Sequence, residues 1–109
     1  MMNSNRFDAS KVEDKAAEVV DWLKVIAHPE RMMVLCHLIH GEQALKDLKS
    51  HSSLSQSALS QHLGILKEHK LVSFRKESQS VFYSLSDKKT AQLLTAIQHI
   101  YCHDDNHLE

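Results

Sequence analysis

Glycine and proline are nearly missing from this chain, which has two glycines and one proline in 109 residues. So few glycines cannot build a glycine-rich loop that cradles phosphate, and no low-complexity linker is present. Cysteine is as scarce: there are two, and no Cys-x-x-Cys. Charge of one sign is missing too, because the formal net charge of −1 neither suggests nor excludes a nucleic-acid partner. No apolar run reaches the roughly 18 residues that a membrane span needs. The opening "MMNSNRFDAS" lacks the apolar core of a signal peptide. A cytoplasmic protein without a membrane partner is therefore expected. In a reducing compartment, two thiols are more often metal-binding or redox-responsive than structural. No nucleophile, base and acid stand at a recognisable spacing, so an enzyme is not expected. A small thiol enzyme that consumes persulfide is the competing class.

What is present is one small domain, 42% hydrophobic, with nine histidines. A core this thin is often completed by dimerisation. Residues 1–10 are polar and aperiodic and read as a loose arm, 11–103 as the folded domain, and 104–109 as a tail. Val12, Ala16, Val19, Val20, Leu23 and Ile26 recur at helical spacing and predict a first helix over 11–27. His28-Pro29 breaks it, and proline followed by Glu30 suits a new start. That second helix runs to about His40 and stops at Gly41. A short third helix covers 44–49, with Leu45 and Leu48 inward.

The stretch "LSQSALSQHLGILKEH" carries the clearest start. Ser55 is an N-cap whose hydroxyl can accept a first-turn N–H. Leu54 and Leu59 form a hydrophobic staple around it. Leu59, Leu63 and Leu66 make one buried stripe, opposite Gln56, Ser57, Ser60, Gln61, Gly64 and Lys67. In "LVSFRKESQSVFYSL" the period changes to alternation, which predicts a β-hairpin around Glu77-Ser78-Gln79-Ser80. No glycine or proline defines its tip. A last helix starts near Ser86-Asp87, carries Leu94, Ile97 and Tyr101 on one face, and holds Cys102 in its final turn. The expected architecture is mainly α with one small hairpin, in the order α-α-α-α-β-β-α. A short helix, a tight connection and a capped polar-faced helix before a hairpin make a winged helix-turn-helix.

A helix of about 14 residues, near 21 Å, fits a major groove. Gln can pair bidentately with adenine, Ser can contact bases or phosphates, and Gly64 permits close approach. Residues 55–80 hold four basic side chains (Lys67, Lys70, Arg75, Lys76) against two acidic, whereas 81–109 hold two against four. Phosphate attraction therefore turns the first of these parts toward DNA. Arg75, Lys76 and Gln79 are the expected wing contacts. Two copies on an inverted-repeat double-stranded DNA operator would compensate for the modest local charge. An interaction module with a wing that binds no DNA is a further alternative.

The segments "LKVIAHPERMMVLCHL", "LSQSALSQHLGILKEHKLV" and "VFYSL" resemble ArsR-type winged-helix repressors over roughly residues 17–103. The resemblance implies a reading helix in the major groove, with His62 of "SQHL" among the DNA-binding residues in a structural or phosphate role, and a homodimer through the first and last helices. Many members bind metal through a Cys-x-Cys where this chain has "EQALKDL", with Ala44 and Lys46 at the cysteine positions. Others use a site whose matching positions are Asp87, Lys89, Ile100 and His103. Lysine and isoleucine cannot replace imidazole there. No cofactor and no family metal site are therefore expected.

The remaining pair, Cys36 and Cys102, resembles the sulfide- and persulfide-responsive branch, the BigR, SqrR and HlyU group. The wing "RKESQSVFYSL" also resembles that branch. There the matching cysteines form a bridge with sulfane sulfur and the repressor leaves its operator. The resemblance thus implies a thiol sensor, Cys36 and Cys102, with persulfide or polysulfide as effector and a di- to tetrasulfide bridge. By itself Cys36 sits on an apolar face with Met32 and Ile39, where a cysteine is ordinarily a small hydrophobe. A metal-responsive repressor of the same type, holding zinc, copper or nickel through Cys102, His99, His103 and His107 or through Cys36 with His40, and a general oxidant sensor that forms a disulfide remain alternatives. Many relatives have glycine where this chain has Lys70, and a left-handed backbone there would cost lysine about 1 kcal/mol.

Overall fold

The computed structural model describes residues 6–102. The 104–109 tail and the candidate ligands His103 and His107 lie outside the described residues, as do residues 1–5 of the expected arm. Six helices and three strands follow in the order α1 (Ala9–Glu13), α2 (Ala16–Ile26), α3 (Pro29–His37), β1 (Gln43–Ala44), α4 (Leu45–Ser50), α5 (Gln56–Glu68), β2 (Val72–Glu77), β3 (Ser80–Leu85) and α6 (Lys88–Tyr101).

The expected first helix is two helices. Its start lies at Ala9, where the Asp8 carboxylate accepts the Ser10 N–H, and Lys15 leaves helical geometry before α2 resumes. No side chain of α1 is buried. Helix α3 begins on Pro29 and ends at His37, three residues short of the expected boundary. The turn after it puts Gly41 at φ +141°, a backbone that side chains with a Cβ rarely adopt.

Two-residue β1 was missed entirely. It pairs with β3 through Gln43–Tyr83 and Ala44–Phe82, so the wing is a three-stranded antiparallel sheet in the order β1-β3-β2. The hairpin itself closes in a two-residue turn, Ser78-Gln79, with Glu77 paired to Ser80. Ser78 holds φ +59° there without a glycine.

Leucine, valine and isoleucine side chains from α2, α3, α4, α5, β2 and α6 form one core. The stripe on α5 is its centre: Leu59, Leu63 and Leu66 are at most 1% exposed. Two polar contacts fix the frame around it. Buried Arg31 donates from Nε to the Val25 carbonyl at 2.7 Å, satisfying an acceptor at the end of α2. Trp22 Nε1 donates to the buried Thr90 hydroxyl at 3.0 Å and ties α2 to the start of α6. Helix α6 opens on Asp87, which accepts the Thr90 N–H at 3.0 Å. Burial pushes the Asp87 carboxyl up, but its bonds from Thr90 and Lys89 outweigh burial and hold it below the usual range.

Candidate nucleic-acid interface and thiol pair

Helix α5 is anchored from inside and bare outside. The Ser55 hydroxyl accepts the Ala58 N–H at 3.1 Å, and Leu54 packs against the core that contains Leu59. Gln56, Ser57, Ser60, Gln61, Gly64 and Lys67 are all exposed. A Cβ added at Gly64 would meet nothing within 4 Å. Packing therefore does not require this glycine, although a glycine inside a helix costs about 0.5–1 kcal/mol relative to alanine. His62 points elsewhere: it is half-buried, its ring lies 6.3 Å from that of His28, and its Nδ1 is enclosed without a hydrogen-bond partner among the described residues. That placement favours a structural role over a phosphate contact.

The wing residues differ in how freely they can meet a partner. Gln79 stands at the hairpin tip, and Lys76 is exposed on β2. Arg75 is held by its neighbours. Its Nε and Nη2 donate to the two Glu42 oxygens at 2.7 and 2.9 Å, and its Nη1 donates to Glu77 at 2.7 Å. The guanidinium also lies 4.6 Å from the centre of the Phe82 ring. Hydrogen bonds from Arg75 hold the Glu42 carboxyl below its ordinary range, and the two carboxylates raise the arginine further. Lys67 has an internal partner as well, with Nζ 4.3 Å from the centre of the Phe74 ring. Sequence patterning gave no sign of the Glu42 contact, which spans 33 positions and depends on β1 pairing.

The two cysteines, 66 positions apart in the chain, lie on elements that pack together: Cys36 on α3 and Cys102 at the end of α6. Those helices are in direct contact. Cys36, on α3, is half-buried against the core. Cys102 is exposed and forms the C-cap of α6, one residue beyond the expected final turn. Both are free thiols. Burial raises the Cys36 pKa, and the negative charge of a Cys102 thiolate raises it further. Cys36 is thus a partly shielded thiol with the exposed Cys102 within electrostatic reach. Among the described residues, no group of three or more His, Cys, Asp or Glu side chains converges to hold a metal ion.

Residues 28–73, from the α3 cap through β2's start, match the model of the bacterial regulatory protein arsR family. The chain also covers 100% of the solved transcriptional repressor BigR from Xylella fastidiosa at 36% identity, over 90% of its own length, with a TM-score of 0.85. The chain belongs to the arsR family. Other arsR-like structures agree. Reduced HlyU from Vibrio cholerae, a protein described as a transcriptional activator, is 40% identical over 85% of this chain and 98% of that one, with a TM-score of 0.79. A homodimeric winged helix-turn-helix DNA-binding domain from Mycobacterium bovis, a possible ArsR-family regulator, matches at 26% identity. That match covers 98% of this chain and 94% of the other, with a TM-score of 0.66. This arsR-family chain is accordingly a winged-helix transcriptional regulator.

Proposed function

We propose that the protein is a homodimeric repressor that binds an inverted-repeat double-stranded DNA operator and releases it when persulfide or polysulfide bridges Cys36 to Cys102. The observation that supports the sensing reading is the contact between α3, which carries Cys36, and α6, which ends at Cys102, with Cys102 within electrostatic reach of Cys36. The names of its relatives include both a repressor and an activator, and one of those relatives was solved as the reduced protein.

On DNA, Gln56, Ser57, Ser60 and Gln61 face base edges from α5, and Gly64 lets the helix approach closely. Lys67, Lys76 and Gln79 contact the backbone or the minor groove, with Arg75 beside them. The dimer forms through exposed apolar side chains on α2 and α6, where Val20 is 46%, Leu23 40%, Ile100 63% and Tyr101 80% exposed. Apolar surface of this extent on a small domain is more stable covered.

Cys102, the open thiol, attacks the sulfane sulfur of a small persulfide and releases the carrier thiol. Cys102 then bears a persulfide. A second persulfide treats Cys36 likewise. One cysteine persulfide attacks the inner sulfur of the other and expels hydrogen sulfide, leaving a trisulfide. Two persulfides and two thiols thus yield one bridge, two carrier thiols and one hydrogen sulfide. The departing sulfur takes the two electrons that the pair loses. A bare disulfide needs Cα atoms about 4.4–6.8 Å apart, whereas an extra sulfur bridges a wider gap. The bridge clamps α3 to α6, an element of the proposed dimer interface. It thereby moves the two reading helices out of register with successive major grooves. Only about 1–3 kcal/mol of coupling is needed.

The test is release of a duplex selected from a random pool. Wild type lets go with glutathione persulfide, whereas Cys36→Ser and Cys102→Ser bind equally well and stay bound. Normal release by either variant would remove the pair from the mechanism.

A further inference from the structure

Between α4, the first residue of α5 and the tip of the wing runs a groove of about 280 Å³. Lys46 and Lys49 of α4 line one side, Gln56 opens α5 on another, and Gln79 and Ser80 close it from the wing. The lysines are three residues apart, so they share a helix face. Neither makes an ion pair among the described residues. Asp47 sits between them in sequence but does not line the groove. Two carboxylates associated with the sheet, Glu42 and Glu77, are engaged by Arg75.

We propose that Lys46 and Lys49 form a clamp for the DNA phosphate backbone, a role distinct from the base-reading face of α5. The inference rests on the DNA-binding reading above and follows from how a duplex is built. If α5 occupies a major groove and the wing tip the neighbouring minor groove, the strand that divides those grooves must pass between the two elements. The channel between them is this groove, and Lys46 and Lys49 are its cations. They add charge beside that of Lys76 on the wing, where Arg75 is paired with Glu42 and Glu77. The first helix of a helix-turn-helix crosses the backbone in the same sense. Phosphate contacts of this kind add affinity and register without selecting a base.

The experiment compares wild-type protein with Lys46→Gln/Lys49→Gln and Lys46→Arg/Lys49→Arg, by fluorescence anisotropy on operator and unrelated duplexes from 50 to 300 mM salt. Each lost phosphate contact lowers the slope of log K against log salt by about 0.9, so a dimer of the double glutamine variant loses about 3.6. Affinity falls by a similar factor on both duplexes, and the arginine variant keeps the wild-type slope. Circular dichroism establishes that the variants are folded. An unchanged slope in the folded glutamine variant overturns the clamp alone, and so does a loss confined to the operator, which would make the lysines base readers. A wild-type protein that binds neither duplex overturns the clamp together with the DNA-binding reading.

Discussion

Cys36 was ambiguous as a letter in a helix: its neighbours Met32 and Ile39 argued for packing, and only the resemblance to a thiol-switched branch argued for chemistry. In the fold, burial raises the Cys36 pKa, and a Cys102 thiolate opposes its ionisation further. Cys36 alkylation by iodoacetamide should therefore rise with pH later than that of an ordinary cysteine, whose pKa is about 8.5. Cys102→Ser should bring that inflection down only in part, because burial is the larger cause. Arg75 illustrates the opposite limit of sequence reading. As a basic residue on a wing it was expected on DNA, and in the fold three of its five N–H donors are engaged by Glu42 and Glu77. Glu42→Gln should release it, strengthen binding to unrelated duplexes and steepen the salt dependence by about 0.9 for each new phosphate contact. An unchanged slope would mean that Arg75 is a strut for the sheet whatever its charge state.

Among the elements, those defined by local rules were legible and those defined by partners were not. The cap and leucine stripe of α5 lie within a dozen residues and stand where local rules put them, and Leu54 before the cap packs on the core that holds Leu59. Strand β1 has no such signature, because two residues become a strand only by pairing with Tyr83 and Phe82. The break between α1 and α2 was hidden because the apolar spacing runs through it. Lys70 adopts φ +67°, the left-handed backbone anticipated from glycine in relatives. Lys70→Gly should consequently raise stability by up to about 1 kcal/mol, read from chemical denaturation. At Gly64 stability and function should separate. Gly64→Ala gains about 0.5–1 kcal/mol of stability, since its Cβ meets nothing in the fold, yet operator affinity drops. Full affinity in that variant would take Gly64 off the interface. Removing the α6 cap with Asp87→Ala should cost about 1 kcal/mol at neutral pH. The Asp87 carboxyl is held below the usual range when folded. Its stabilisation is thus present above the unfolded pKa of about 3.9 and is lost as pH falls through the lower folded value.

For the molecule as a whole, α3 connects the proposed reading helix and the proposed thiol sensor, because it packs on both α5 and α6. Helix α6 packs on α3, carries Cys102 at its end and presents Ile100 to its surroundings. Leu23→Glu with Ile100→Glu should halve the mass found by light scattering and abolish operator binding without unfolding the chain. A dimer that survives both charges would place the interface elsewhere. Coupling between sulfur and DNA stands or falls with the bridge itself. The measurement that tests it most directly is intact-protein mass after glutathione persulfide and, separately, hydrogen peroxide, followed by alkylation. The account predicts an internal Cys36–Cys102 bridge carrying at least one additional sulfur under persulfide alone. A plain disulfide under both reagents, or no bridge under either, would contradict it.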